Sequence, residues 1–451
     1  MRKGIFFHPS FVNGIFRPII YDPPMKFPFV NMRGLVAVAL LCGTAFAHAQ
    51  LGLPSLPLPG HIGPLGLDGL RRPVDQLLDR APLPDLGSLR LDTVKRLLRT
   101  HPDQLEADPR GEPALRGEVL AWSPSEAALR AARDAGATVV RDEVLPGLGG
   151  RMVVLRLPSG ASTAALVERL RAADPDGSYD FNHVYTGSGA ADGVAAAGKA
   201  AVRIGLIDSG VDGAHPVFED AAIVRWGCDG QVIPAPHGTA VAALMVGRSE
   251  HLRGAAPGAS LYAADVYCGS PVGGAADRIA AALGWLDQQE VGVVNISLVG
   301  PSNALLARAV AAMQARGHLL VAAVGNDGPA APPLYPASYP GVVGVTGVDR
   351  RGRPLPEAAR GPQVKFAAPG SQMVSAAPGT PPYRQVRGTS FAAPIVAALL
   401  AQRLPRPDRA AAARAVDALA REAGGGQAVA NNEIGYGIVG AGLRTDPSDL
   451  R

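Results

Sequence analysis

Four apolar runs separated by stretches with helical spacing restrict the fold of this chain more than any other feature. The runs have the length of buried strands and lie at residues 202–207, 291–296, 319–324 and 342–345. Strands that are apolar on both faces and alternate with helices predict a parallel sheet covered by helices on both sides. We therefore expect a doubly wound, mostly parallel α/β domain over residues 201–445.

A different pattern precedes this domain. Residues 113–186 show the order strand, helix, strand, strand, helix, strand, which is typical of a small ferredoxin-like α+β domain. Residues 187–200 are small and are predicted to form an exposed, protease-sensitive linker. The Pro- and Leu-rich residues 50–112 are predicted to be a linker with short helices at 74–80 and 91–99.

The N-terminal region contains a candidate export signal. Residues 35–47 form an apolar run that follows a basic residue and ends in Ala47-His48-Ala49. This order is typical of a secretory signal peptide, so residues 32–49 are predicted to direct export to the periplasm or the medium. A buried helix of the mature protein is the alternative interpretation.

Residues before and within that signal raise two further hypotheses. Residues 1–31 are rich in proline and show no period, so we expect a non-native upstream extension and a natural start at Met32. Lipid attachment at Cys42 is the second hypothesis, but Leu41 stands at the preceding position, where a small residue is expected.

Composition excludes several classes of protein. With 47% apolar residues, the chain can bury a substantial core and is not a disordered protein. The 43 basic and 39 acidic residues form no basic stripe interleaved with aromatic residues, which argues against nucleic-acid binding. No apolar run is long enough to span a bilayer, so no stable membrane anchor is expected. We expect a monomer.

Three cysteines are present, at positions 42, 228 and 268. Their spacing does not match a zinc site, and no metal or other cofactor is expected. If Cys42 is removed with the signal, Cys228 and Cys268 remain as an even pair. In an oxidising compartment they can form one disulfide; on spacing alone, two buried thiols are an equally good interpretation.

Three polar segments supply the groups needed for nucleophilic catalysis. Asp208 ends a strand in IGLIDSG, His237 opens a helix in HGTAVA, and Ser390 opens another in GTSFAAP. Singly, each is an ordinary turn former or helix cap. Together they supply a hydroxyl nucleophile, an imidazole base and a carboxylate that orients the imidazole. Asn326 ends a further strand and could donate to an oxyanion, although an ordinary turn would also place an asparagine there.

Seven motifs in order identify a resemblance to a known family. They are IGLIDSGVDGAHP, HGTAVA, VVNISLVGP, AAVGNDG, YPASYPGVVGVTGV, APG and GTSFAAP. Over about residues 201–440 the chain resembles the subtilisin-like serine proteases, the subtilases, whose Asp, His, Ser order it shares. The resemblance implies a catalytic triad of Asp208, His237 and Ser390, with Asn326 as the oxyanion donor.

The resemblance also implies substrate-binding residues and a maturation pathway. A protein or peptide substrate would pair with Ser297, Leu298, Val299 and Gly300, and the specificity pocket would be walled by Ala323 and Gly325. Residues 113–186 would be the enzyme's own propeptide, which assists folding, inhibits, and is cut off by the enzyme within residues 185–200. The expected protein is thus an exported serine endopeptidase made as an autoprocessed zymogen.

Departures from the family pattern bear on specificity and metal binding. Ala240 stands where a second histidine is frequent, and Val299 stands where a glycine is usual, which favours smaller or unusual substrate side chains. Residues 247–254 contain one carboxylate, too few for a calcium cage. The resemblance places Cys228 and Cys268 on loops near the site and so favours their disulfide.

Two other functions are compatible with the same fold. A catalytically silent binding protein would keep the fold without the activity, and covalent labelling of Ser390 by a fluorophosphonate would distinguish it. A peptide ligase or transpeptidase would pass the acyl group to another amine, which product mass spectrometry with an added amine would detect.

Overall fold

The first part of the described chain folds into an antiparallel sheet with two helices against one face. The computed structural model describes residues 89–187, 202–424 and 429–450, all within one structural unit. The elements are α1 (Leu89–Thr100), β1 (Leu105–Ala107), β2 (Pro113–Trp122), α2 (Glu126–Asp134), β3 (Thr138–Leu145), β4 (Gly150–Arg156), α3 (Thr163–Ala173) and β5 (Ser178–Gly187). The antiparallel strand order β5-β2-β4-β3 confirms the predicted ferredoxin-like fold.

The helix predicted at 91–99 is found as α1, but residues 105–107 of the predicted linker form a strand, which corrects that part of the prediction. Strand β1 pairs with β2 and places Leu105 opposite Leu115. Leu97 and Leu98 of α1 pack into the same small apolar cluster. A strand of three residues is too short to show a period in the sequence. The predicted helix at 74–80 and the predicted signal peptide lie outside the described residues.

A parallel seven-stranded sheet forms the centre of the larger domain. The strands of the central sheet are β6 (Arg203–Asp208), β7 (Ile223–Trp226), β8 (Ser260–Asp265), β10 (Val293–Ile296), β12 (Leu319–Ala323), β13 (Val343–Val348) and β14 (Val364–Pro369). The strands of this domain outside that sheet are β9 (Gly274–Ala275), β11 (Leu298–Val299), β15 (Met373–Ala376) and β16 (Tyr383–Val386). The parallel order is β14-β13-β12-β10-β6-β8-β7. The predicted doubly wound fold class is confirmed.

Within the described residues, five helices pack on the two faces of this sheet and beside it. They are α4 (Pro236–Val246), α5 (Ala276–Gln288), α6 (Ala304–Ala315), α7 (Thr389–Ala401) and α8 (Arg409–Gly424). Alternate side chains of β6 enter different apolar layers, because successive side chains of a strand point to opposite faces. Ile204 and Leu206 pack with α4 and α7, whereas Ile207 packs with α5 and α6.

The ferredoxin-like sheet covers α5 and α6 with its second face. Leu120 and Trp122 of β2 share one buried apolar cluster with Ile279 of α5 and Leu306 of α6. The carboxylate of Asp180 accepts a hydrogen bond from the backbone N–H of Ala304 at 2.8 Å, at the N-terminus of α6, where negative charge is favourable. The two domains therefore bury apolar surface and satisfy a helix end together.

A disulfide joins the loops that follow β7 and β8. It links Cys228 to Cys268, and both half-cystines have left-handed backbone, with φ of 53° and 49°. Non-glycine residues rarely adopt this conformation, so the covalent bond holds two loops in a backbone geometry that each would resist alone.

Removing the disulfide is expected to destabilise the protein. The bond closes a segment with a sequence separation of 40 residues, for which the chain-entropy model gives about 4 kcal/mol. Cys228→Ser, Cys268→Ser and the double variant should each lower the free energy of unfolding by the same amount, measured by urea unfolding in a Ser390→Ala background. Unequal losses in the two single variants would show that the cysteines act separately.

Candidate active site

A buried carboxylate and an imidazole meet at the carboxyl end of β6. His237 Nδ1 lies 2.7 Å from Asp208 Oδ1 and 3.0 Å from Oδ2. The same carboxylate accepts hydrogen bonds from the N–H of Ser209 at 2.7 Å and from its hydroxyl at 3.0 Å. Asp208 has no solvent exposure, so these donors take the place of water around its charge.

Two glycines allow the strand end and the start of α4 to approach this closely. A Cβ on Gly210 would lie 1.9 Å from the carbonyl oxygen of Ile233, and one on Gly238 would lie 2.1 Å from that of Ser209. Real Cβ atoms do not come so close to backbone oxygens. The glycines seen beside Asp208 and His237 in the sequence are therefore required by contact between the two segments.

Ser390 lies in the first turn of α7, which packs on the same face of the sheet as α4. Pro394 lacks the N–H that would bond to the Ser390 carbonyl within the helix. The hydroxyl of Ser297 donates to that carbonyl instead, at 2.9 Å. In return, the Ser390 hydroxyl donates to the Ser297 carbonyl at 3.2 Å. The start of α7 is thus tied to the residue that follows β10.

The outer nitrogen of His237 is the acceptor that the serine hydroxyl would need. His237 Nε2 is buried and has no hydrogen-bond partner among the described residues. The ring centre lies 5.5 Å from that of Phe391, the residue after Ser390. The structure therefore brings Asp208 and His237 into contact and places Ser390 beside them, with a hydrogen bond from the Ser390 hydroxyl to the Ser297 carbonyl.

Asn326 is oriented by the same helix start. Its side-chain oxygen accepts a hydrogen bond from the N–H of Thr389 at 3.1 Å, which leaves the amide nitrogen as the donor end of the group. The preceding Gly325 has φ of 103°, a conformation that glycine adopts without strain, and its N–H donates to the Thr389 hydroxyl at 3.2 Å.

Strand β5 of the ferredoxin-like domain runs into this site. Thr186 and Gly187 pair antiparallel with Val299 and Leu298 of β11. On the other side, Val184 and Tyr185 pair with Ala275 and Gly274 of β9. The last strand of the first domain is therefore the middle strand of a three-stranded antiparallel ribbon.

Tyr185 anchors that ribbon and was not predicted as a site residue. It is fully buried, and its hydroxyl donates to the carbonyl of Pro301 at 2.7 Å. A Cβ on Gly300 would lie 2.5 Å from a ring carbon of Tyr185. No local pattern marks this tyrosine, because its importance comes from a contact with residues 115 positions away or more.

The specificity pocket expected beside Ala323 and Gly325 is partly filled by other side chains. A Cβ on Gly325 would lie 2.5 Å from Leu334 Cδ1 and 3.7 Å from Val299 Cγ1, and Ala323 is fully buried. Leu334, which the sequence analysis missed, therefore closes this wall together with Val299. A cavity of about 330 Å³ remains beside it. Its lining residues include Thr186, Gly187, Val299, Asn326, Asp327 and Arg90.

One group of potential metal ligands occurs among the described residues. Cys228, Asp265 and Cys268 offer atoms within 4.8 Å of one another. Both sulfur atoms belong to the disulfide, so neither is available as the thiolate that metals bind.

Comparison with known proteins identifies the family. The model of the subtilase family matches residues 199–437, slightly more than half of the chain. The chain belongs to the subtilase family. By family it is a serine-type endopeptidase, and Asp208, His237, Asn326 and Ser390 all lie within the matched segment.

Individual relatives agree with this assignment. Subtilisin DY from Bacillus licheniformis is 32% identical over 208 residues, which are 44% of this chain and 74% of that protein. Subtilisin BL from Lederbergia lenta is 32% identical over 218 residues, 45% of this chain and 77% of that protein. Fervidolysin from Fervidobacterium pennivorans has the same fold, with a TM-score of 0.61 at 20% identity; the match covers 73% of this chain and 61% of that structure.

No helix in the described part of the subtilase is long and apolar enough to cross a membrane. This statement covers residues 89–187, 202–424 and 429–450.

A second buried carboxylate of this subtilase lies four residues beyond Asp208. Asp212 is 2% exposed, and its Oδ2 has no hydrogen-bond partner among the described residues. Its backbone N–H donates to the hydroxyl of Thr239 in α4 at 2.9 Å. Burial raises the pKa of Asp212 from 3.8 to about 6, with Arg225 acting in the opposite direction.

Asp212 is therefore expected to make the fold less stable at neutral pH. A carboxyl whose folded pKa is raised contributes stability that is present below its unfolded pKa of 3.8 and is lost as pH rises through about 6. Asp212→Asn should raise the free energy of unfolding by up to about 3 kcal/mol above pH 6.5 and by little below pH 4. Urea unfolding across pH in a Ser390→Ala background measures this, and an equal effect at both ends would contradict the assignment.

Proposed function

We propose that this subtilase is an exported endopeptidase made as a zymogen that processes itself, and that Asp208, His237 and Ser390 are its catalytic triad. The observation that carries the proposal is the position of β5. It is held as an extended strand between β9 and β11, and its last residue lies against His237. A strand bound by its backbone between two others is the geometry by which peptides are recognised by β-augmentation.

In the proposed mechanism, Ser390 attacks the carbonyl carbon of the scissile bond. Its hydroxyl proton passes to His237 Nε2, the buried nitrogen without a partner. Asp208 holds Nδ1 and stabilises the imidazolium that forms. The carbonyl oxygen becomes an oxyanion that accepts hydrogen bonds from the Asn326 amide and the Ser390 N–H.

The second half of the cycle returns the enzyme to its starting state. His237 gives its proton to the leaving amine, and the C–N bond breaks to leave an ester on Ser390. Water then loses a proton to His237 and attacks the ester carbon. Collapse of this intermediate releases the acid and returns the proton to Ser390.

Contacts of the first domain support its role as the enzyme's own propeptide. Its sheet shares a buried apolar cluster with α5 and α6. Arg141 forms an ion pair with Asp277, and the Asn303 amide donates to the carbonyl of Phe181 at 2.9 Å. Because these contacts cover two helices and β5 fills the cleft, the domain would both stabilise the fold and block access to His237. The scissile bond then lies in the segment that follows Gly187.

Export is supported by the disulfide and by the apolar run at residues 35–47. A disulfide persists in oxidising compartments, and the run has the features of a signal peptide. The substrate would be a protein or peptide, taken by the pairing edge of Leu298 and Val299. The smaller space left by Val299 and Leu334 favours small side chains next to the scissile bond.

Self-processing can be tested on the full chain. Wild-type protein should be trimmed to a fragment whose N-terminus lies within residues 188–201, because β5 already occupies the cleft. Ser390→Ala should stay at full length, as followed by intact-mass spectrometry and N-terminal sequencing. Ser270→Ala, a serine on a neighbouring loop, is the matched control and should be trimmed like the wild type.

Two outcomes of that experiment would contradict the proposal. Trimming of Ser390→Ala at the same bond would assign processing to another enzyme. A trimmed wild-type protein that takes up no fluorophosphonate at Ser390 would contradict a serine nucleophile and favour a silent binding protein.

The oxyanion role of Asn326 predicts a selective loss of turnover. Asn326→Ala removes the amide donor, and losing one such donor lowers kcat by about 10²–10³. KM should change little, because the charge develops after binding. Steady-state kinetics on a peptide substrate measures both constants. Asn431→Ala, an amide in a turn of the C-terminal segment, should leave kcat unchanged, and an equal rise of KM in Asn326→Ala would point to binding instead.

A further inference from the structure

We propose that Tyr267 and His237 form a glycine-selective subsite, so that the enzyme prefers extended segments with a glycine at the place of Gly187. Tyr267 would be a specificity-determining residue that binds the backbone N–H of that glycine. This inference rests on the proposed function, since it takes β5 as a copy of a bound substrate.

A side chain at position 187 would be in tight contact with His237. A Cβ built on Gly187 would lie 3.2 Å from each of three atoms of the imidazole ring. A contact this tight requires the neighbour to move by a few tenths of an ångström. The ring is held by both oxygens of Asp208 at 2.7 and 3.0 Å. A side chain at this place would therefore press on a ring whose position the carboxylate already holds.

Tyr267 fixes the same residue from another direction. Its hydroxyl oxygen accepts the N–H of Gly187 at 2.6 Å. This end of β5 pairs through its backbone with β9 and β11, whereas the acceptor for the N–H of Gly187 is a side chain. Burial, with a smaller effect of Asp208, raises the pKa of the Tyr267 phenol, so the hydroxyl stays neutral at the pH where peptides are cut.

The loop that carries Tyr267 is held rigidly. Asp265 Oδ1 accepts the N–H groups of Tyr267 and Cys268, each at 2.9 Å. Cys268 is bonded in turn to Cys228. The phenol therefore cannot follow a substrate that shifts away from His237. A glycine satisfies both limits at once, because it keeps the N–H at Tyr267 and brings no Cβ to the imidazole.

Peptides that copy residues 183–190 test the subsite on protein that has processed itself. Replacing the glycine that corresponds to Gly187 by alanine should lower kcat/KM roughly 5- to 150-fold, the range for forcing a methyl group into a packed site. Replacing the preceding threonine by alanine is the matched control and should change kcat/KM little. Neither change touches the fold of the enzyme.

A double-mutant cycle, with one change in the enzyme and one in the substrate, isolates the hydrogen bond between the Tyr267 hydroxyl and the glycine N–H. Replacing that glycine by glycolic acid turns its N–H into an ester oxygen. This should lower kcat/KM for wild type about 2- to 12-fold, and Tyr267→Phe should lower it by the same range on the amide peptide. With Tyr267→Phe and the ester together, the loss should be no larger than either alone. Tyr262→Phe, whose ring lies 6.1 Å from that of Trp285, should leave the ester effect at its wild-type size.

The full chain gives an independent test in cis. Gly187→Ala should slow the appearance of the trimmed fragment, whereas Thr186→Ala should not. If the glycine and alanine peptides are cut equally well, or if the effects of Tyr267→Phe and the ester multiply, the subsite is overturned while the proposed endopeptidase stands. If wild type neither trims itself nor cuts any peptide, the proposed function fails and the subsite with it.

Discussion

The buried charge of Asp208 is the constraint on which the rest of the site depends. A carboxylate without solvent exposure is tolerated only if protein donors surround it. Here Ser209 supplies two donors and His237 a third. Satisfying the carboxylate therefore orients the imidazole, whose ring centre lies 5.5 Å from that of Phe391 in the first turn of α7. The glycines at 210 and 238 follow from the same requirement, since any side chain there would separate the donors from the carboxylate.

The sequence predicted the parts of this structure whose causes are local. Apolar runs and helical spacing located the central strands, and Asp208 and His237 were found because each lies at the junction of a strand or helix with a glycine turn. The seven ordered motifs then related the separate segments to one another. Element ends moved by a few residues, as with the predicted helix at 91–99, which spans Leu89–Thr100.

What the sequence did not predict depends on contacts between distant segments. Strand β1 is defined by its pairing with β2 and not by a period. Leu334 lies in a proline-rich stretch and closes the pocket wall only because the chain folds it onto Gly325. Tyr267 follows strand β8, and nothing in the neighbouring sequence distinguishes it from other residues at the end of a strand. Its hydroxyl becomes important when β5, 80 positions away, delivers a backbone N–H to it.

Rigidity of the base and selectivity for substrate would then have one physical origin. An imidazole free to move could accept a side chain at position 187, but it would lose the carboxylate that stabilises its charged form. Holding the ring on Asp208 would keep the proposed base effective and would make any Cβ at position 187 a tight contact. The disulfide restricts the opposite side of the proposed subsite, because it limits movement of the loop that carries Tyr267. In this enzyme a narrow choice of substrate follows from how firmly its base is held.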